Sequence, residues 1–221
     1  MSNFRIKTMV LGMVSTNCYL VYNDDTKEGV VVDPADNGAY ILNKCSELGI
    51  KLQAVLLTHG HFDHIGAALQ IARAFTIPIY ASETEDGMLA DTSLNLTAHF
   101  TGHSLSFHAD RLVHDGDELE LLGYKVESHC NSGHTAGSVC YYLPEEDMAI
   151  HKRVAQYVDK DHRKQATAAT CYTRRQGLFL PGIDRDLFPV FKKRTQIPKI
   201  YYHEYLDDLE FLSAYLHQMV L

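Results

Sequence analysis

The sequence predicts an α/β protein whose sheets are covered by helices. Three observations carry that expectation. Strand-like and helix-like runs alternate through residue 82, strand-like runs follow one another directly from residue 118, and the polar segment "THGHFDHIG" sits where an apolar run meets a helical pattern. Alternation lays helices on sheet faces, and consecutive strands extend a sheet through hairpins.

The runs "FRIKTMVL", "NCYLVYN" and "GVVVDP" read as strands, rich in β-branched and aromatic residues and broken at Gly12 and at Asn23-Asp24-Asp25. A helix is predicted over 38–48, where Ala39, Ile41, Leu42, Cys45 and Leu48 recur at helical spacing and Gly49 is a natural stop. "LQAVLLT" reads as a buried strand. "IGAALQIARAF" reads as one helix, with Ile65, Ala68, Leu69 and Ala72 on a common face, and "IPIYAS" as a further strand. Residues 83–111 are polar and weakly periodic, the pattern of a surface loop or lid. "ELELLGYKVESHC" and "SVCYYLP" restore the strand pattern.

At 221 residues the chain is long enough for one substantial core, and its net charge of -8 disfavours nucleic acid and anionic membranes as partners. No run reaches the roughly 18 apolar residues of a membrane span. The first residues lack a cationic start, a long apolar run and a small-residue cleavage site, so a cytoplasmic location is expected. Five cysteines without CxxC spacing fit reduced thiols better than a disulfide framework.

The charge balance changes near Met148. Up to that residue eight Lys and Arg face twenty Asp and Glu, and beyond it twelve face eight, so the balance moves from -12 to +4. Two segments are therefore expected: a core over 1–148 and a basic tail over 149–221 packed on the same domain. The tail's end, "YLDDLEFLSAYLHQMVL", reads as an amphipathic helix with Leu206, Leu209, Leu212, Tyr215, Leu216 and Met219 at helical spacing. Its tyrosines offer a surface for homo-oligomer contact.

Three histidines and an aspartate fall within six positions, at the carboxyl end of a predicted strand, where open α/β proteins tend to bind ligands. Imidazole and carboxylate suit zinc, iron or manganese. His59 and His61, two apart on an extended segment, can point the same way. Asp63 and His64 can then serve a second ion. His134, in the Gly-flanked turn "CNSGHTAGSV", is a candidate third ligand for the ion held by His59 and His61.

The H-x-H-x-D-H pattern of "THGHFDHIGA" resembles that of the metallo-β-lactamase superfamily. "TNCYLV", "VVVDPAD" and "SGHTAGSVCYYL" are similar in order and spacing to its glyoxalase II-like branch, and the resemblance covers residues 3–148. It implies an αββα sandwich with metals at the inner sheet edges. It implies His59, His61 and His134 at one metal, Asp63 and His64 at the other, and Asp33 as a carboxylate behind them that orients a ligand histidine. It further implies one or two zinc ions, with iron or manganese as alternatives, and hydrolysis of a small-molecule thioester or related acyl compound by metal-activated hydroxide. Asp63 would orient the nucleophile and move its proton.

After "VCYYLPEEDMAI" the chain departs from the family. The family's metal-bridging aspartate follows a Gly, and its last histidine lies in a Pro-Gly-His-Gly loop; "HKRVAQYVDKDHRKQ" has no Gly-Asp pair, and Pro-Gly-His-Gly occurs nowhere in the chain. Asp159, Asp161 and His203 are the substitutes on offer. Two other readings therefore stand beside the hydrolase: a mono-iron persulfide dioxygenase, and a metal-binding domain without catalysis.

Overall fold

The structure is a computed structural model. It describes residues 3–130 and 134–151, and the backbone of 154–157. The expected C-terminal helix, the basic run Lys192-Lys193-Arg194, Asp159, Asp161 and His203 lie outside the described residues.

Two sheets stack face to face. The first runs in the order β1 (Phe4–Leu11), β2 (Thr16–Asn23), β3 (Glu28–Val32), β4 (Lys51–Leu56), β5 (Ile79–Ser82) and β6 (Arg111–Val113). The first two pairings are antiparallel, and those from β3 to β6 are parallel. Parallel neighbours need crossovers, and helices supply them. These are α1 (Gly38–Leu48) after β3, α2 (Phe62–Ile65) with α3 (Ala68–Phe75) after β4, and α4 (Glu83–Ala90) with α5 (Thr97–Phe100) after β5. The second sheet is wholly antiparallel, in the order β11 (Val154–Tyr157), β10 (Met148–His151), β9 (Val139–Leu143), β8 (Tyr124–Cys130) and β7 (Glu118–Leu121). Met148, where the charge balance turns, is the first residue of β10.

The period of two along each strand divides the core. Cys18, Leu20, Val31, Val55 and Leu57 face the layer of α1 and α3, among Ile41, Cys45, Ile65 and Ile71. Their neighbours Tyr19, Val21, Val30, Val32, Ala54 and Leu56 face the second sheet, meeting Val126, Val139, Tyr141 and Ile150. A strand buried on both faces shows little alternation in its sequence, which is why "LQAVLLT" is apolar without a break from Ala54 to Leu57. The four described cysteines are free thiols, and burial pushes Cys18 well above its ordinary range. Among the described residues, no helix is long and apolar enough to cross a membrane.

Two sequence expectations need correction. The helix expected over 65–75 is broken into α2 and α3 at Gly66 and Ala67. A Cβ on Gly66 would lie 2.3 Å from the Ala35 carbonyl oxygen, and the Ala67 amide donates to the Pro34 carbonyl at 2.8 Å. The loop after β3 is thus pressed against the helix break, with backbone on both sides. Gly66→Ala should cost about 1–3 kcal/mol or more, because neither backbone can yield as a side chain would. A denaturant midpoint equal to that of the unaltered protein would contradict this contact.

The second correction concerns 83–111, which is irregular only over 91–96 and 101–110 and otherwise carries α4 and α5. Ser82 caps α4, its hydroxyl accepting from the Glu85 amide, and acidic residues fill the first turn. The following turn is pinned by the fully buried Asn95. Its amide donates to the carbonyls of Leu89 and Leu105, and its oxygen accepts from the amide and hydroxyl of Thr97. The buried polar residues here, Glu85, Asn95 and Thr97, look in a sequence like their exposed polar neighbours, so hydrophobic periodicity could not find the helix.

Candidate metal centre

β4 ends at Leu56, and the loop that follows turns into α2 within six residues. That turn carries His59, His61, Asp63 and His64 to one edge of the first sheet. His134 arrives from the second sheet, in the connection between β8 and β9. The two loops are joined at the base, where the Val139 amide donates to the Thr58 carbonyl at 2.7 Å.

The rings of His59, His61 and His134 form a near-equilateral triangle, with centroids 5.0, 5.0 and 4.7 Å apart and ring planes almost perpendicular. Each ring can offer one nitrogen so that all three lie within 4.8 Å of one another. His61 Nδ1 and His134 Nε2 are 2.8 Å apart. Two imidazole nitrogens on one tetrahedral zinc stand about 3.3 Å apart, given Zn–N distances near 2.0–2.1 Å. The donor set therefore fits an ion after a shift of about half an ångström.

Asp33 organises the cluster from below. It is fully buried and sits just past β3 with φ of 50°, a left-handed conformation that Asp tolerates better than most residues. That turn aims its carboxylate under the end of β4. Oδ1 accepts from the Thr58 amide at 2.7 Å, and Oδ2 accepts from the Thr58 hydroxyl at 2.5 Å and from His64 Nδ1 at 2.8 Å. Because the Thr58 proton is committed to Asp33, its oxygen is left to accept from His59 Nδ1, 3.2 Å away. This network assigns the tautomer in which the lone pair of His59 is on Nε2. Asp33, His59 and His64 also have donor atoms within 4.8 Å of one another. The oxygens of Asp33 are already taken up by three donors, so its carboxylate anchors Thr58 and the His64 ring.

Asp63 faces the same edge. Its Oδ2 accepts from the Thr16 hydroxyl at 2.7 Å and lies 3.2 Å from His64 Nε2. Burial pushes the Asp63 carboxyl up, but the His64 hydrogen bond and charge, with the Thr16 hydroxyl, outweigh it and hold the group at about 2. Burial likewise pushes His64 down, while the charge and hydrogen bond of Asp33, then Asp63, carry it to about 9. In the chain by itself His64 is thus an imidazolium beside an ionised Asp63 at neutral pH. An ion taken up by His64 must displace its Nε2 proton, so uptake there releases acid.

The structure brings together Asp33, His59, His61, Asp63, His64 and His134. Three residues that sequence reasoning missed complete the surroundings: Thr16, Thr58 and Glu85. Thr16 and Thr58 are ordinary strand-end residues whose importance shows only in three dimensions. Glu85 carried a signal, since Ser82-x-x-Glu85 after a strand has the form of a helix-capping box.

Two stacked sheets with a histidine cluster able to hold a metal at one edge define a metallo-hydrolase-type architecture. The chain belongs to the metallo-β-lactamase superfamily, whose family model matches residues 11–150. Among curated relatives it is similar to a probable metallo-hydrolase, YqgX, of Bacillus subtilis, 34% identical over 65% of this chain and 68% of the relative. It is also similar to the hydroxyacylglutathione hydrolase GloC of Haemophilus influenzae, 32% identical over 61% of this chain and 64% of the relative. Among solved structures, the B3 metallo-β-lactamase BLEG-1 aligns with a TM-score of 0.61 and 33% identity, over 66% of this chain and 70% of that one. TTHA1623 in a di-iron-bound form aligns with a TM-score of 0.53 and 28% identity, over 65% and 69%. The chain thus matches about two thirds of the length of these relatives.

Proposed function

We propose that this protein is a zinc-dependent hydrolase of small-molecule thioesters or related acyl compounds. The observation that supports it best is the triangle of His59, His61 and His134 beside a carboxylate, Asp63, that is ionised at neutral pH. His59, His61 and His134 would hold one ion, and Asp63 with His64 a second. His203 is a further candidate ligand outside the described residues. A bound divalent ion supplies Lewis acidity, bringing the pKa of a water from about 15.7 to near 7.

The remaining work falls to the chain. Asp63 orients the attacking water and accepts its proton on its carboxylate, which the Thr16 hydroxyl keeps in place through Oδ2. The water oxygen bonds to the acyl carbon, the carbon–sulfur bond breaks, and the sulfur leaves as a thiol with the proton. Asp33 and Thr58 hold the rings of His64 and His59 in one orientation throughout, so no reorganisation is needed. The name of the hydroxyacylglutathione hydrolase supports an acyl substrate, and that of BaeB of Bacillus velezensis, a probable polyketide biosynthesis zinc-dependent hydrolase 31% identical over 60% of this chain and 53% of that one, supports zinc-dependent hydrolysis. The acidic chain argues for a small-molecule substrate over nucleic acid.

Mass spectrometry of protein purified without chelator, paired with a panel of acyl and hydroxyacyl thioesters, tests the reading. One or two zinc ions per chain and thiol release that a chelator abolishes are expected. Iron with oxygen uptake and no hydrolysis would instead establish the mono-iron persulfide dioxygenase; the di-iron-bound form of TTHA1623 supports only iron as an alternative metal. Protein that holds no metal would overturn both.

A further inference from the structure

Glu85 lies on α4, away from the histidine loops in sequence, yet it touches both. It is 1% exposed. Its Oε2 accepts from the Gly60 amide at 2.8 Å, and its Oε1 accepts from the Gly137 amide at 2.8 Å. Gly60 stands between His59 and His61, and Gly137 stands three residues after His134. One carboxylate therefore spans the two loops that carry the candidate ligands, each oxygen committed to one of them.

The surroundings are built for this span. Glu85 is the third residue of α4, capped by Ser82. In a capping box the glutamate at that position reaches back to the cap's own amide. Here it reaches outward instead, while the Ser82 hydroxyl accepts from the Glu85 amide and donates to the Gly137 carbonyl at 2.6 Å. A Cβ on Gly137 would lie 2.6 Å from Ser82 Oγ and 2.9 Å from the Glu85 nitrogen; one on Gly60 would lie 3.2 Å from Met88 Cγ. The start of α4 is thus seated against the Gly137 loop, where a side chain would push it away, and the Met88 and Leu89 side chains of the same helix close over Gly60. A buried carboxylate is costly unless hydrogen-bonded, and these two amides, one per loop, offset that cost only when both loops are in place.

We infer that Glu85 is a positioning residue: it sets the spacing between the His59–His61 loop and the His134 loop before any ion binds. The inference rests on the metal-site reading above. The Val139–Thr58 hydrogen bond joins the same loops at their base, whereas Glu85 ties them next to the ligands themselves. Pre-ordering of this kind means that an ion meets a formed triangle of rings and need not assemble one.

Two measurements decide it. In the unaltered protein stripped by chelator, amide exchange at Gly60 and Gly137 should be as slow as in β4; exchange at the rate of a solvated loop overturns the inference. In Glu85→Gln, the side-chain amide turns an N–H toward one of the backbone N–H groups and breaks one arm. Zinc affinity, measured by chelator competition, should fall about 10–100-fold, the range typical of outer-shell partners, and the visible bands of the cobalt-substituted protein should change. A folded Glu85→Gln protein with unaltered zinc affinity and cobalt bands overturns the inference. If Glu85→Gln does not fold, the exchange result on the unaltered protein decides. Unaltered protein that binds no zinc counts against the metal reading, and the exchange rates still judge the span separately.

Discussion

Replacing His134 by alanine should lower zinc affinity more than about 100-fold and thioester hydrolysis by about 10³-fold or more, while leaving the fold intact. The first figure exceeds the 10–100-fold typical of residues that merely support ligands, because a ring of the triangle itself is lost. The second follows from the chemistry of water. Without the ion the nucleophile's pKa returns from near 7 toward 15.7, and the hydroxide available at neutral pH collapses accordingly. The fold should survive because His134 is exposed, on a loop outside both cores, and substitutions at such positions typically change stability by less than about 0.5 kcal/mol. His59→Ala would be a poorer test. His59 is buried and hydrogen-bonded to Thr58, so its loss disturbs packing as well as binding. Hydrolysis that persists in a His134→Ala protein with normal thermal unfolding would mean that the activity resides elsewhere or in a contaminant.

The contrast between those two histidines shows what a sequence can convey. His59, His61, Asp63 and His64 are legible because four metal-ligating groups crowded into six positions, between apolar elements, is a pattern that packing alone does not call for. That β2, β3 and β4 are buried strands is legible too, but which of their residues face the helices and which the second sheet is not, because both faces are apolar. His134 stands out only when paired with the first cluster, because a single histidine in a Gly-flanked turn carries little information by itself. The helix α4 escapes a reading of the sequence for a physical reason. Its stabilising contacts are a cap, a buried asparagine and a buried glutamate, which look the same in a sequence as solvated loop residues. Thr16 escapes it because its role is set by a hydrogen bond 47 positions along the chain to Asp63. Long-range polar pairings of this sort leave no periodic trace, whereas apolar faces do.

Asp63→Asn should reduce kcat about 10²–10⁴-fold, the range expected when a positioned proton acceptor is removed, with a much smaller effect on KM. Asparagine is nearly isosteric and can still accept from the Thr16 hydroxyl, so the loss isolates charge and basicity from shape. A companion variant, Thr16→Val, separates these further. The carboxyl of Asp63 sits at about 2 because His64 and then Thr16 stabilise its charged form against the opposing effect of burial. Removing the hydroxyl takes away one of those supports, so the carboxyl pKa rises. A group with a lowered pKa is active above that pKa and lost as pH falls through it, so the acid limb of the kcat profile should move to higher pH in Thr16→Val. The plateau at neutral pH should fall less than in Asp63→Asn, since Asp63 is still ionised there. In Asp63→Asn the limb should vanish together with most of the rate. An Asp63→Asn protein that keeps full kcat would leave the carboxylate as a ligand or a structural group alone, and the proton would then have to be accepted by another residue at this sheet edge.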